Sequence, residues 1–161
     1  ANILPSASLS KHYPIAFNVI PQVDVFLDND YSKEEMKMVN ETRKIFNAPE
    51  MRITATTVRV PVFRSHSESI NIELENAVDV ADIKKALAKF PGVQVQDDLP
   101  NQVYPMPLYT SGLNDVYVGR IRADESAPNS YNIWVVGDQI RKGAALNTLQ
   151  IAEVMIERDL I

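Results

Sequence analysis

The chain has 161 residues, 45% of them hydrophobic, and its 16 Lys and Arg residues against 21 Asp and Glu residues give a net charge of −5. This acidic balance disfavours binding to the phosphate backbone of a nucleic acid, and no apolar run approaches the roughly 20 residues of a membrane span. The chain contains no cysteine, which excludes disulfides, thiolate metal sites and a cysteine nucleophile from this sequence.

The start of the chain suggests a piece of a longer protein. Ala1–Pro5 contains no initiator Met, and Ser6–Ser10 is typical of a loop. We expect an excised piece that folds as a single domain over residues 1–161. The five glycines form neither a G-x-G-x-x-G nor a P-loop pattern, so most of any nucleotide site is expected to lie elsewhere.

Three elements are predicted in the first part of the chain. Apolar residues alternate over residues 23–27, which predicts a strand. Ser32 and Glu35 form a capping-box pattern, and the apolar spacing behind them predicts a helix from Lys33 to about Phe46. β-branched residues dominate Arg52–Phe63, which predicts a long strand.

The second part of the chain is predicted to contain more strands than helices. Alternating isoleucines predict a strand at Glu68–Glu75, and Asp79 is expected to cap a helix that ends near Phe90. The other predicted elements are strands at Val93–Gln96, Val116–Arg122 and Tyr131–Val136, an ordered loop at Asp97–Asn114 and a helix from Lys142 with Leu146, Leu149, Ala152 and Ile156 as its apolar stripe. Because the strands cluster without strict alternation with helices, the predicted class is α+β, with a mixed, mostly antiparallel sheet and helices on one face.

Arg59 and His66 are the first candidate functional pair. They are seven positions apart, and a bend between them would bring both side chains to one small anionic substrate. The planar guanidinium suits a carboxylate, and histidine suits proton transfer near neutral pH. The alternative is a surface arginine at a strand end and a histidine that hydrogen-bonds Ser65 or Ser67.

Glu34 and Lys37 are the second candidate pair. Residues three apart on a helix are neighbours, so both side chains are expected to project from the first helical turn. A helix N-terminus attracts anions, so Lys37 would bind phosphate there while Glu34 accepts from an ammonium group. The alternative is an ordinary solvated charge pair.

No metal site is predicted. The only histidines are His12 and His66, and a metal would otherwise need carboxylates. Asp28–Asp30 resembles part of a calcium loop but lacks the glycine and the terminal glutamate of an EF-hand. We interpret this segment as a turn.

Five motifs in order resemble a known family. They are Phe17–Asp24, Glu34–Lys37 with Glu41–Ile45, Arg59–His66, Val118–Arg122 and Asp138–Asn147. Together they closely resemble the C-terminal half of the aspartate-semialdehyde dehydrogenases, NADP-dependent bacterial enzymes, from about Ile3 to Ile161. The resemblance implies the α+β catalytic and dimerisation domain that is also found in glyceraldehyde-3-phosphate dehydrogenases.

The resemblance also implies a reaction and a set of site residues. The family converts L-aspartyl 4-phosphate to L-aspartate 4-semialdehyde with NADPH and releases phosphate, on the route to lysine, methionine and threonine. In this sequence His66 matches the general acid/base, Arg59 the clamp on the substrate carboxylate, Glu34 the partner of the substrate amino group, Lys37 the phosphate binder and Asn147 a contact with the cofactor. A cytoplasmic homodimer is expected.

Two parts of the family pattern have no counterpart in this sequence. The nucleophilic cysteine, with a nearby glutamine, and the nucleotide-binding domain that binds most of NADP precede the matched region in the family. We therefore expect the chain alone to be catalytically silent. Two other functions stay open at this stage, namely a non-catalytic dimerisation module and a small-anion binding domain.

Overall fold

The computed structural model describes residues 13–161, so the predicted loop at Ser6–Ser10 and the histidine at position 12 lie outside the described residues. The chain divides into two compact units, Ala1–Pro61 and Val62–Ile161. Each unit is described by itself below.

One capped helix dominates the first unit. Helix α1 spans Lys33–Ile45, and its N-terminus carries a complete capping box. The Ser32 hydroxyl accepts from the Glu35 N–H at 3.2 Å, and the Glu35 carboxylate accepts from the Ser32 N–H at 2.7 Å. The predicted helix and its cap are thus confirmed. The two reciprocal bonds stabilise the start of the helix because they satisfy two backbone donors that would otherwise lack a partner.

The strand predicted over residues 23–27 is wrong. The backbone bends at Val23–Asp24, and only Phe26 forms an isolated bridge, to Ser32. Asp24 adopts a left-handed φ of 66°, and its carboxylate accepts from the next N–H, that of Val25, at 2.8 Å. This local side-chain bond offers the backbone an alternative to strand pairing.

The long strand predicted over Arg52–Phe63 is also wrong as a paired strand. Its side chains keep a two-residue period from position 52 to position 60, with every second residue half-buried. Its one β-bridge joins Arg59 to Ile20. β-branched residues favour an extended backbone, but a ladder needs a neighbouring strand, and the described part of the first unit supplies only that bridge.

A four-stranded sheet forms the centre of the second unit. Its strands are β1 (His66–Glu73), β2 (Val93–Val95), β3 (Val116–Ala123) and β4 (Ser130–Gly137), in the order β1-β4-β3-β2. β4 pairs antiparallel with β1 and β3, whereas β2 pairs parallel with β3. The predicted α+β class with a mixed, mostly antiparallel sheet is therefore confirmed.

Two features of the strand register stand out in the sheet. In the β1–β4 ladder His66 lies opposite Gly137, so β1 begins two residues before its predicted start at Glu68. In the β3–β4 ladder the register shifts between Gly119 and Arg122, where Arg120 adopts a left-handed φ of 54°. This irregularity is typical of a β-bulge, which bends and twists a strand locally.

The helices of the second unit differ in how they pack. Helix α2 (Val80–Lys89) packs against β2 and β3. The predicted loop at Asp97–Asn114 contains a short helix, α3 (Pro107–Thr110), which begins at a proline. A proline suits the first helical position because its missing N–H would be unpaired there anyway.

The C-terminal helix lies largely outside the core. The π-helical turn Arg141–Ala145 leads into α4 (Leu146–Glu157), which contains no buried residue. Leu149 and Ile156 of its predicted apolar stripe are 63% and 61% exposed. Buried apolar residues of the second unit lie mainly in the sheet instead and include Val118, Ile121, Tyr131 and Val136, with Pro105 buried in the loop before α3. Among the helices that the structure describes, none is both long and apolar enough to span a membrane.

Candidate functional site

The site residues predicted from the sequence belong to both units. Glu34, Lys37 and Arg59 belong to the first unit, and His66 and Asn147 to the second. The structure brings Glu34 and Lys37 together, as the helical spacing predicts. The other three are placed by different segments and are described in turn.

Glu34 and Lys37 form an ion pair on the first turn of α1. The Lys37 Nζ lies 3.3 Å from one carboxylate oxygen of Glu34 and 3.4 Å from the other. Their side chains are 35% and 52% exposed, respectively. Such a solvated pair contributes only a few tenths of a kcal/mol, so separating the two groups costs little.

Glu35, the next residue, has a purely structural environment. It is 8% exposed, and its two carboxylate oxygens accept from the backbone N–H groups of Thr57 at 2.8 Å and Ser32 at 2.7 Å. These bonds outweigh burial and lower the pKa of Glu35. Glu35 therefore joins α1 to the extended segment that contains Arg59.

Arg59 is fixed through its backbone and incompletely satisfied through its side chain. Its N–H donates to the Ile20 carbonyl at 2.8 Å, and its carbonyl accepts from the Ile20 N–H at 3.0 Å. The Arg59 Nε is buried and has no hydrogen-bond partner among the described residues. A buried donor without an acceptor is costly, so a carboxylate ligand would complete this group.

His66 opens β1 with an exposed side chain. The alternative in which Ser65 satisfies this histidine is not what the structure shows. The Ser65 hydroxyl lies 3.1 Å from the Thr110 hydroxyl and 3.3 Å from the Ser111 hydroxyl instead. The His66 imidazole makes no hydrogen bond with any residue between positions 13 and 161.

The turn before His66 contains a buried serine, although the sequence suggests only a polar break. Ser65 is buried and adopts a left-handed φ of 74°, which costs a non-glycine residue about 1–2 kcal/mol. Its N–H donates to the Gln139 side-chain oxygen at 2.7 Å. The preceding Arg64 carbonyl accepts from the Ser111 hydroxyl at 3.2 Å.

Asp138, which the sequence analysis did not single out, bonds to the residues around the Arg64–Ser65 turn. Its fully buried carboxylate lies 2.7 Å from the Arg64 Nε, in an ion pair rather than an aligned hydrogen bond. It also accepts from three backbone N–H groups, those of Gly112 at 2.5 Å, Ile140 at 2.9 Å and Arg141 at 3.0 Å. The available signal was an aspartate directly before a helical segment, a position that favours capping.

The charge state of Asp138 follows from these contacts. Burial alone raises the pKa of this carboxyl group, but the three backbone donors and Arg64 stabilise the charged form more strongly and lower its pKa to about 2. Asp138 is therefore an anion at neutral pH, in the interior of the second unit.

Asn147 lies in the first turn of α4 and is half-buried. Its side-chain oxygen accepts from the Lys142 ammonium at 3.0 Å, and the same ammonium donates to the Gln150 oxygen at 2.7 Å. This arrangement fixes the amide and leaves its NH₂ group without a partner among the residues the structure describes. Asn147 can therefore donate to a ligand.

Comparison with known proteins places the chain among dehydrogenases. Residues 1–142 match the family model described as "Semialdehyde dehydrogenase, dimerisation domain". The chain is 50% identical over 160 residues to an aspartate-semialdehyde dehydrogenase of Bacillus subtilis and 52% identical over 155 residues to one of Synechocystis. These alignments cover 99% and 96% of this chain but 46% of each relative, so the chain spans about half the length of the relatives it matches.

Solved structures agree with the sequence comparison. Aspartate semialdehyde dehydrogenase II of Vibrio cholerae, complexed with ASA, superposes with a TM-score of 0.86 at 42% identity, over 95% of this chain and 44% of that one. The Candida albicans enzyme with NADP superposes with a TM-score of 0.72 at 27% identity, over 91% of this chain and 46% of that one. The resemblance drawn from five motifs is thus confirmed.

Proposed function

Because the chain belongs to the semialdehyde dehydrogenase family, through its dimerisation domain, we propose that it is the substrate-binding and dimerisation part of an NADP-dependent aspartate-semialdehyde dehydrogenase. The complete enzyme would reduce L-aspartyl 4-phosphate to L-aspartate 4-semialdehyde with NADPH and release phosphate, in lysine, methionine and threonine biosynthesis. It would act as a cytoplasmic homodimer. The names of the relatives and the length of the matched region support this proposal.

The observation that carries the proposal is the buried, unpaired Nε of the Arg59 guanidinium. Its buried Nε lacks a partner among the described residues, while Ile20 fixes its backbone from both sides. A guanidinium binds a carboxylate through two parallel N–H donors, so a ligand carboxylate would supply the missing acceptor. We assign Arg59 to the α-carboxylate of the substrate.

Glu34 and Lys37 are assigned to the two other charged groups of the substrate. Lys37 would bind the phosphate, and Glu34 would accept from the α-ammonium group. Without substrate they neutralise each other at 3.3 Å. Because an exposed pair of this kind contributes little, the substrate can replace each partner at small cost.

His66 is assigned to proton transfer. Its imidazole is exposed, at the beginning of β1, and is not engaged elsewhere in the described part of the chain. A histidine beside the reacting group of a substrate is suited to general acid/base catalysis, which typically contributes about 10²–10⁴-fold to a rate.

The nucleophile and most of the cofactor site must come from outside this sequence. The chain contains no cysteine, and its glycines form no nucleotide-binding loop. NADPH would supply the hydride when bound. The free NH₂ group of Asn147, fixed by Lys142, suits a carbonyl or phosphate oxygen of that cofactor. We expect the isolated chain to have no dehydrogenase activity.

The test uses the chain joined to the preceding part of its own gene. Phosphate-dependent reduction of NADP with aspartate semialdehyde is followed by absorbance. Arg59→Lys should raise the KM for aspartate semialdehyde at least about tenfold through loss of the bidentate geometry. Arg122→Lys, an exposed arginine of β3, is the matched control and should leave KM unchanged. An unaltered KM for Arg59→Lys would reject the carboxylate assignment.

The same assay separates the remaining assignments. Lys37→Ala should raise the KM for phosphate, whereas Lys44→Ala, at the far end of α1, should not. His66→Asn should lower kcat by about 10²–10⁴-fold. Glu34→Gln should raise the KM for aspartate semialdehyde but not for phosphate, since it removes the charge that would pair with the ammonium group and leaves the Lys37 ammonium in place.

A further inference from the structure

The backbone immediately before His66 is held in a conformation that its own residues disfavour. Ser65 is a buried serine with a left-handed φ of 74°. Only glycine adopts this region at no steric cost, so such a conformation persists where the surroundings determine it fully. Strained backbone of this kind clusters at functional sites. The contacts that hold this turn are therefore relevant to the function of the neighbouring His66.

Side chains from two other segments hold the turn. Gln139 accepts from the Ser65 N–H at 2.7 Å. The Ser111 hydroxyl is shared between two acceptors, the Arg64 carbonyl at 3.2 Å and the Pro107 carbonyl at 2.7 Å. The Thr110 hydroxyl donates to the Ser65 hydroxyl at 3.1 Å. The N–H and the hydroxyl of Ser65 and the carbonyl of Arg64 are therefore all hydrogen-bonded.

One buried carboxylate joins these segments. Asp138 accepts from the Gly112 N–H, next to Ser111, and from the Ile140 N–H, next to Gln139. Its ion pair with Arg64, at 2.7 Å, reaches the turn itself. The carboxylate thus determines the spacing between the turn and both groups of residues that bond to it.

The other side of His66 is fixed by the sheet. His66 lies opposite Gly137 in the β1–β4 ladder, and Gly137 directly precedes Asp138. Pairing with β4 consequently fixes the backbone of His66 within the sheet, and the preceding Arg64–Ser65 turn fixes it along the chain. Both constraints converge on residues 137–139.

We propose that Asp138 is a positioning residue for catalysis: through Arg64 and the Ser65 turn it fixes the backbone from which the His66 imidazole meets the reacting group. This inference rests on the proposed function of His66 as the acid/base. Asp138 itself touches no substrate. Its role is to hold the imidazole in place, because a displacement of about 1 Å can cost about 10²-fold in rate.

The test compares two buried carboxylates of the second unit in the complete enzyme. Asp138→Asn keeps an acceptor for the backbone but removes the charge that pairs with Arg64. Asp97→Asn is the matched control, since Asp97 is also shielded from solvent, pairs with Lys84 at 2.8 Å and accepts from two backbone N–H groups, but lies outside the turn network.

Asp138→Asn is expected to lower kcat by about 10²-fold with little change in the KM for aspartate semialdehyde, and to shift the pH profile of kcat. Asp97→Asn is expected to lower the melting temperature comparably and to leave kcat and its pH profile within about twofold of wild type. Loss of kcat in both variants to the same extent would overturn the proposal, because a general structural role would then explain it.

A milder pair of variants keeps the proposal testable if Asp138→Asn does not fold. Ser111→Ala removes a hydroxyl that lies 3.2 Å from the Arg64 carbonyl and 2.7 Å from the Pro107 carbonyl, whereas Ser126→Ala removes an exposed hydroxyl bonded to Asp124. Ser111→Ala should lower kcat about three- to tenfold and Ser126→Ala should not. Equal kcat in both would overturn the proposal.

The outcome for His66 itself separates this inference from the function on which it rests. If His66→Asn leaves kcat unchanged, both the acid/base assignment and the positioning role are rejected. If His66→Asn lowers kcat while folded Asp138→Asn retains the wild-type kcat and pH profile, only the positioning role is rejected.

Discussion

The phenolic oxygen of Tyr131 makes two hydrogen bonds to the backbone of Val78. It accepts from the Val78 N–H at 2.7 Å and donates to the Val78 carbonyl at 2.6 Å. Tyr131 is buried in β4, whereas Val78 lies in the segment that leads from β1 to α2. One side chain thereby satisfies both polar groups of a loop residue and attaches that loop to the sheet.

Tyr131→Phe should lower the free energy of unfolding by about 1–3 kcal/mol. The substitution keeps the ring but leaves two backbone groups of Val78 without their protein partner, and unmet polar groups are more costly than the average hydrogen bond is worth. Urea unfolding followed by circular dichroism measures the change. Tyr109→Phe, at an exposed tyrosine, is the control and should stay within about 0.5 kcal/mol of wild type.

Glu35→Ala should destabilise the protein by about 2–3 kcal/mol. The substitution removes the acceptor of the Ser32 and Thr57 N–H groups, and hydrogen bonds to a charged group contribute more than neutral ones. Glu41→Ala, on the exposed face of the same helix, controls for helix propensity. Equal unfolding free energies of the two variants would contradict the structural role of Glu35.

Gly119→Ala should destabilise the protein by about 1–3 kcal/mol, the usual cost of overpacking. A Cβ at this position would overlap the backbone carbonyl of Gln96 and lie 2.6 Å from the Pro105 Cδ. In Gly137→Ala, on the neighbouring strand, the Cβ would meet only the Val116 side chain at 3.7 Å. Thermal unfolding should therefore show a lower Tm for the first variant and little change for the second.

Asp138 should make stability depend on pH in the acid range. Its pKa is about 2 in the folded protein against 3.8 ordinarily, so the unfolded chain binds more protons between these values. The contribution is fully present above about pH 5 and is lost as the pH falls from about 4 towards about 2. In urea unfolding, the difference in the free energy of unfolding between wild type and Asp138→Asn should become smaller as the pH falls from about 5 to about 3.

The control for this pH dependence is Glu125→Gln, which changes an exposed carboxylate in the β3–β4 connection. Its unfolding free energy should run parallel to that of wild type over the same pH range. If the difference in unfolding free energy between wild type and Asp138→Asn stays constant across this pH range, the lowered pKa of Asp138 is contradicted.

Local signals predicted much of the fold. The capping box at Ser32 and Glu35 fixes the start of α1 within a few residues of sequence, so no distant contact was needed to find it. The strand β1 was predicted because Ile70, Ile72 and Leu74 alternate with polar residues, and strands were also predicted at the positions of β3 and β4. The same rule failed over Arg52–Phe63, since an alternating pattern predicts an extended backbone but not the presence of a neighbouring strand.

The candidate site was predictable where residues are close in sequence and hidden where they are not. Glu34 and Lys37 are three residues apart, and helical geometry alone brings them together. Arg64 and Asp138 are 74 positions apart in the sequence, and only the folded sheet brings the guanidinium and the carboxylate into contact. The left-handed φ of Ser65 could not be predicted from the sequence, because serine does not favour that conformation.

Helix α4 buries none of its 12 residues, and a helix of that length is only marginally formed in water without tertiary contacts. Its amides are therefore expected to exchange with deuterium at rates near those of an isolated peptide, while the amides of β4 resist exchange until the whole unit opens. The same exchange rates can be measured in the complete enzyme. Slower exchange of the α4 amides there than in the isolated chain would show how far the rest of the enzyme stabilises this helix.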